Sequence, residues 1–217
     1  MTLTSCLASK FHSTMRLQAC VTFMFCAFAM IPATPAFPQS SAITIPRNLG
    51  ELVGESQTVV QGWVTSVALE PHPQMKNLMT VVVTLRVEET LKGNGASTFT
   101  FRQAAIDFRD QRQALGYRTG QHLLLVLIKP SANGLTSPAG MEQGRFHIES
   151  QGAAKLSATN GLANAGLFRG LESQLKAKGL RISPESEEMI ANSKAGSVSL
   201  EPLKSLIRSM VAADATR

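Results

Sequence analysis

The chain has 217 residues, 44% of them hydrophobic and 17% charged. That balance excludes a disordered protein, and the length suits one domain, or one domain with an appendage, able to bury a core without metals or staples. A formal charge of +6 does not demand a polyanionic partner.

Residues 1–36 contain no Asp or Glu, and Lys10 and Arg16 are their only full positive charges. An apolar run from Leu17 to Ile31 follows, then small and proline residues up to Ala36. The order basic, apolar, small is that of a secretory signal peptide, with the cut expected after Ala36 and an alternative cut after Ala42. Met15 is an alternative start. The run is shorter than the roughly 20 residues that span a bilayer, so no membrane span is expected after cleavage. Leu17-Gln-Ala-Cys20 has the form of a lipobox but precedes most of the apolar run. Cys6, Cys20 and Cys26 all fall in this segment. The exported chain is therefore expected to lack disulfides, thiolate nucleophiles and cysteine metal sites.

Residues 37–150 read as one β domain. Pro46 to Glu55 predicts a short helix with Leu49, Leu52 and Val53 on one face. Thr58 to Leu69 predicts a strand carrying Trp63, stopped by Pro71-His-Pro73. From Met79 to Leu91 the alternation is clear: Met79, Val81, Val83, Leu85 and Val87 face one way, and Thr80, Thr84, Arg86 and Glu88 the other. Lys92-Gly-Asn-Gly95 reads as a turn, and Thr98 to Arg102 as a strand with Phe99 and Phe101 inward. A long charged connection runs from Gln103 to Gln121. Leu123 to Ile128 is apolar throughout, which suits a strand covered on both faces. A second long loop, Ser131 to Gly144, leads to a strand at Arg145–Glu149 with Phe146 and Ile148 inward and Arg145, His147 and Glu149 outward. Five strands joined by turns and loops predict a mainly β fold: a small five-stranded OB-like antiparallel barrel, closed or partly closed to remove its edges, with a β-sandwich as the alternative. Residues 151–197 read as an irregular polar segment. Residues 198–217 carry a terminal helix whose face of Leu200, Leu203, Leu206, Ile207 and Met210 is expected to dock on the barrel. Membrane-surface binding by that helix would rest on Lys204 and Arg208 alone.

The residues offer little chemistry. His72, His122 and His147 are scattered, with no His-Glu-x-x-His, so no metal and no cofactor are expected. Asp107, Asp110, Glu142 and Glu149 are candidate carboxylates, but the first two sit among arginines, which favour the ionised form. Gly-x-Ser-x-Gly is absent. Lys92-Gly-Asn-Gly95 lacks the Gly-Lys-Ser/Thr of a phosphate loop. Nucleic-acid binding is not expected, because aromatics make up only 6% and Phe99 and Phe101 are assigned to the core.

Five stretches carry a resemblance: Val59-Val-Gln-Gly-Trp-Val64, Val87-Glu-Glu-Thr-Leu-Lys-Gly93, Phe99-Thr-Phe-Arg-Gln103, Tyr117-Arg-Thr-Gly-Gln-His-Leu-Leu-Leu125 and Gln143-Gly-Arg-Phe-His-Ile148. Together they resemble a group of exported bacterial proteins whose domain is similar to the netrin-like, tissue-inhibitor-of-metalloproteinase type of OB barrel. The resemblance implies an interaction module, with a secreted matrixin-like zinc protease as one partner class. The zinc-chelating cysteine of those inhibitors has no counterpart once the signal segment is removed.

The function expected from the sequence is an exported, non-catalytic β module that binds a protein partner at the cell envelope or outside the cell. Its contact loops would carry Asp107, Arg109, Arg112, Tyr117, Leu135 and Met141. The alternatives are an inhibitor or accessory factor of a secreted protease, and a hydrolase built on His147 and Glu149.

Overall fold

The computed structural model describes residues 45–152 and 155–215. The expected signal segment and its expected cleavage positions lie outside the described residues.

Helix α1 spans Leu49–Glu55. Asn48 opens it, not Pro46. The Asn48 side chain accepts the Glu51 N–H at 3.0 Å, and the Glu51 carboxylate accepts the Asn48 N–H at 2.9 Å. This reciprocal pair satisfies two otherwise orphaned donors. Leu49, Leu52 and Val53 are buried, as their spacing predicts.

The strands are β1 (Ser56–Pro71), β2 (Met79–Lys92), β3 (Thr98–Ala104), β4 (His122–Ile128), β5 (Arg145–Ser150), β6 (Leu156–Asn160) and β7 (Val198–Ser199). They form one sheet in the order β3-β2-β1-β4-β5-β6-β7, antiparallel at every step. The fold is mainly β, but it is neither the expected closed barrel of five strands nor a sandwich: one open sheet has seven strands. The strand count rose because β6 pairs onto β5 and β7 pairs onto β6. Two isolated bridges, Arg102 to Leu135 and Leu127 to Pro138, tie the connection after β4 back to β3 and β4 without forming a strand. β1 changes register with β2 at three places before Ser66, and such bulges bend a strand. At Gly62 a Cβ would lie 2.3 Å from the Arg86 carbonyl oxygen, so only glycine permits this approach of β1 to β2.

β4 is covered on both faces, as its unbroken apolar run predicts. Leu124 and Val126 enter a cluster with α1, Phe146 and the C-terminal helices. Leu123, Leu125 and Leu127 enter a second cluster with Val60, Val81, Val83, Leu85, Phe101 and Tyr117.

The segment expected to be irregular holds β6, α3 (Leu171–Ala177) and α4 (Pro184–Asn192). The five residues of β6 are too small and polar to declare a strand; their pairing with β5, from Phe146–Asn160 to Ser150–Leu156, imposes it. The start of α4 was legible: Ser183 accepts the Ser186 N–H, and Pro184 occupies the first turn. A further helix, α2 (Phe108–Gln113), lies inside the first long connection. Helix α5 (Leu200–Ala215) buries the predicted apolar face. Lys204 and Arg208 both bond Glu89 of β2, and Lys204 also bonds Glu201. Among the described residues no helix is long and apolar enough to cross a membrane.

Candidate functional site

The two long connections meet at Arg145, the first residue of β5. The sequence places Arg145 on a wet strand face, but it is buried, because the connection between β3 and β4 folds over it. One guanidinium nitrogen, Nη1, donates to the Leu115 carbonyl at 2.7 Å, and Nη2 donates to Glu142 at 2.5 Å. The guanidinium lies 4.6 Å from the centre of the Tyr117 ring, a cation–π contact. Its Nε is buried without a hydrogen-bond partner. Gly116 passes close enough that a Cβ would stand 3.2 Å from Nη2. Arg145 thus joins Leu115, Gly116 and Tyr117 of the first connection to Glu142 of the second.

The backbone around this joint is strained. Ala114, Leu115 and Met141 have φ of 47°, 54° and 60°. Side chains other than glycine disfavour that region by about 1–3 kcal/mol each. A surrounding structure must over-determine such residues, and the Arg145 hydrogen bonds do so here. Tyr117 is a core residue and not a contact residue. Its hydroxyl donates to the buried Gln103 Oε1 at 3.2 Å, and burial pushes its pKa up to about 12 despite Arg145. Nearby titration is shifted as well. Burial, followed by the charges of Asp107 and Glu142, raises the Asp110 carboxyl. Burial, followed by Arg145, lowers the His147 imidazole.

The two connections that Arg145 joins also carry large apolar side chains in solvent: Ile106 at 81% exposure and Phe108 at 77% on the first, and Met141 at 57% on the second. Of the contact residues read from the sequence, Asp107, Arg109, Arg112 and Met141 are exposed on these connections. Asp107 also caps α2 by accepting the Asp110 N–H at 2.7 Å. Leu135 is half-buried at the bridge to Arg102. Ile106 and Phe108 were missed. Their signal was available: large apolar residues inside an otherwise charged loop.

A second polar cluster crosses three strands. Glu88 of β2 accepts from Trp63 Nε1 at 2.7 Å, from Gln61 Nε2 at 2.8 Å and from His122 Nε2 at 2.7 Å. The Trp63 and His122 rings stack with centroids 4.3 Å apart. An ionised carboxylate only accepts, which fixes the hydrogen of His122 on Nε2. Burial raises the Glu88 carboxyl, but the three donors and the His122 charge outweigh it and hold it below its ordinary value.

His147 and Glu149 do not converge: Glu149 is exposed, and no hydrogen bond joins the two. His72 is buried within the β1–β2 turn and does not project from it. Among the described residues no three His, Cys, Asp or Glu side chains gather as a metal site. No family model matches this chain, and neither a curated protein nor a solved structure matches it.

Proposed function

We propose that this chain is an exported, non-catalytic β module that binds a protein partner through the surface where its two long connections meet. The observation that carries the reading is the exposure of Ile106, Phe108 and Met141 on two connections that Arg145 ties together. Large apolar side chains held out on a rigid, strained support are what a protein interface uses as anchors. The exposed charges of Asp107, Arg109 and Arg112 around them supply a polar rim. The dispersed histidines and carboxylates favour recognition over catalysis.

A second reading makes the partner a secreted, matrixin-like protease, in line with the resemblance to the netrin-like group. Ile106 favours it. This side chain is more exposed than any other large apolar one among the described residues, and it stands on a short non-helical stretch between β3 and α2. An extended stretch of that kind fits a cleft that binds peptides as strands.

The test is capture from envelope and secreted fractions with the full chain as bait. Ile106→Ala/Phe108→Ala should keep the wild-type circular dichroism and lose the captured protein, while Leu156→Ala, on β6, should retain it. Equal capture by both variants would sink the reading. Stoichiometric inhibition of a zinc protease, lost in the same double variant, would select the protease partner.

A further inference from the structure

The far half of β1 is a sheet edge without a partner among the described residues. β4 pairs with β1 only from Ser56 to Trp63, and Gly120 and Gln121 close on Val64. From Ser66 to Pro71 the strand keeps β2 alone. The His72 N–H donates to the Leu78 carbonyl at 2.7 Å, which sets the phase of the ladder. Ser66, Ala68 and Glu70 turn their backbone groups toward β2, and the N–H and C=O groups of Val67 and Leu69 point out from the edge.

Proteins blunt such edges, because an open row of donors and acceptors pairs with any extended strand. Two other edges of this sheet are blunted. β7 is only two residues long. On β3 the Arg102 carbonyl accepts the Thr136 N–H at 2.9 Å, and the Arg102 side chain bonds Thr80 and Glu70. The β1 edge carries a charge and a proline only at its end, Glu70 and Pro71. Thr65-Ser-Val-Ala-Leu69 contains no charge and no proline, and its register with β2 is regular from Ser66 to Pro71. The edge is also held firmly. Buried His72 accepts the N–H groups of Gln74 and Met75 on Nδ1 at 3.2 and 3.1 Å, and donates from Nε2 to the Asn133 carbonyl at 2.9 Å.

The side chains say what strand would fit. Val67 packs at the rim of the cluster that contains Val81 and Val83, and Leu69, opposite Val81, is 43% exposed. An added strand needs an apolar residue at every second position and no charge between them. The chain itself has that segment. We propose that a second copy of this chain adds its own β1 edge, antiparallel, about a two-fold axis at Ala68. Val67 of each copy then pairs with Leu69 of the other through outward N–H and C=O groups. Ala68 faces Ala68, and Glu70 faces Ser66 and not another carboxylate. Four apolar side chains continue the Val81–Val83 row across the junction, and Pro71, which has no N–H, ends the run. The proposal rests on none of the residues assigned to partner binding.

Sedimentation equilibrium of the full chain tests it, with Leu69→Lys, Leu69→Pro and, as a control on β6, Leu156→Lys. The wild type and the control should dimerise, and both Leu69 variants should weaken the dimer at least about tenfold in dissociation constant. Proline at 69 removes only an outward N–H, so the ladder with β2 survives. Hydrogen exchange provides the second measurement: the Val67 and Leu69 amides should be slow in the dimer, and the Val67 amide fast in both variants, while Ala68 and Val82 stay slow throughout. A wild type that is monomeric at every concentration would overturn the proposal, including one whose edge amides another segment of the chain protects. So would a dimer that both Leu69 variants leave unchanged.

Discussion

The two polar clusters use the same chemistry in different settings. Around Glu88 the carboxylate is the centre, and its donors all sit on paired strands, two of them where β1 shifts register against β2, so the cluster adds cross-links to backbone that the ladder already pairs. Around Arg145 the cation is the centre, and its acceptors sit on loops whose backbone is strained. The first reinforces a structure that exists without it, and the second creates the structure it binds. The exposed apolar side chains belong to the connections that the second ties together, where loop geometry depends on side chains.

Substitutions can break or sharpen that contrast. The largest effect is expected for Glu142→Ala, which leaves Arg145 buried without its counter-ion. It should lower the unfolding free energy in urea by about 3 kcal/mol and speed amide exchange in 105–117. Glu88→Ala should cost about 2 kcal/mol, because it strands the Trp63, Gln61 and His122 donors, yet leave exchange along β1 and β2 slow. If Glu88→Ala loosened its strands as much as Glu142→Ala loosened the loops, the contrast would be lost. Acid should erase the Glu88 effect. The folded carboxyl lies below its unfolded value, so its contribution is present above about pH 4.3 and disappears as pH falls through the folded value. A pH series of melting temperatures for wild type and Glu88→Ala should therefore converge in acid. Tyr117→Phe removes one buried hydrogen bond but keeps the ring beneath Arg145, so about 1 kcal/mol should be lost with no loosening of the loops. The smallest effect belongs to Asp110→Asn. The raised carboxyl of Asp110 is destabilising when ionised, so the amide should raise the unfolding free energy at pH 7 by about 0.5 kcal/mol, the scale of a solvent-screened charge.

Residues whose environment is set by their near neighbours were legible in the sequence. The alternation of β2 placed Val81, Val83 and Leu85 in the core, the apolar run of β4 declared two covered faces, and the heptad-like face of α5 is the face it buries. The exceptions were set by distant chain. Thr80 alternates with the outward positions but is fully buried, because Arg102 and the Glu70 carbonyl close over it. Arg145 was misplaced for the same kind of reason: residues of the first connection cover it. Closure of the sheet could not be judged either, because the pairings of β6 and β7 depend on β5 and α5 and not on any periodicity of their own. The candidate site was half legible. Its two loops were identified, but the residue that joins them was not.

Helix α5 has a further consequence. Its Leu203, Leu206 and Ile207 fill the centre of the larger core cluster, and Arg208 reaches back 119 residues to Glu89. The strands laid down first therefore wait for the last part of the chain before that core can close. During synthesis the earlier strands stay uncommitted until α5 emerges, so removing the last few turns of α5 should abolish folding as a whole and not trim an appendage.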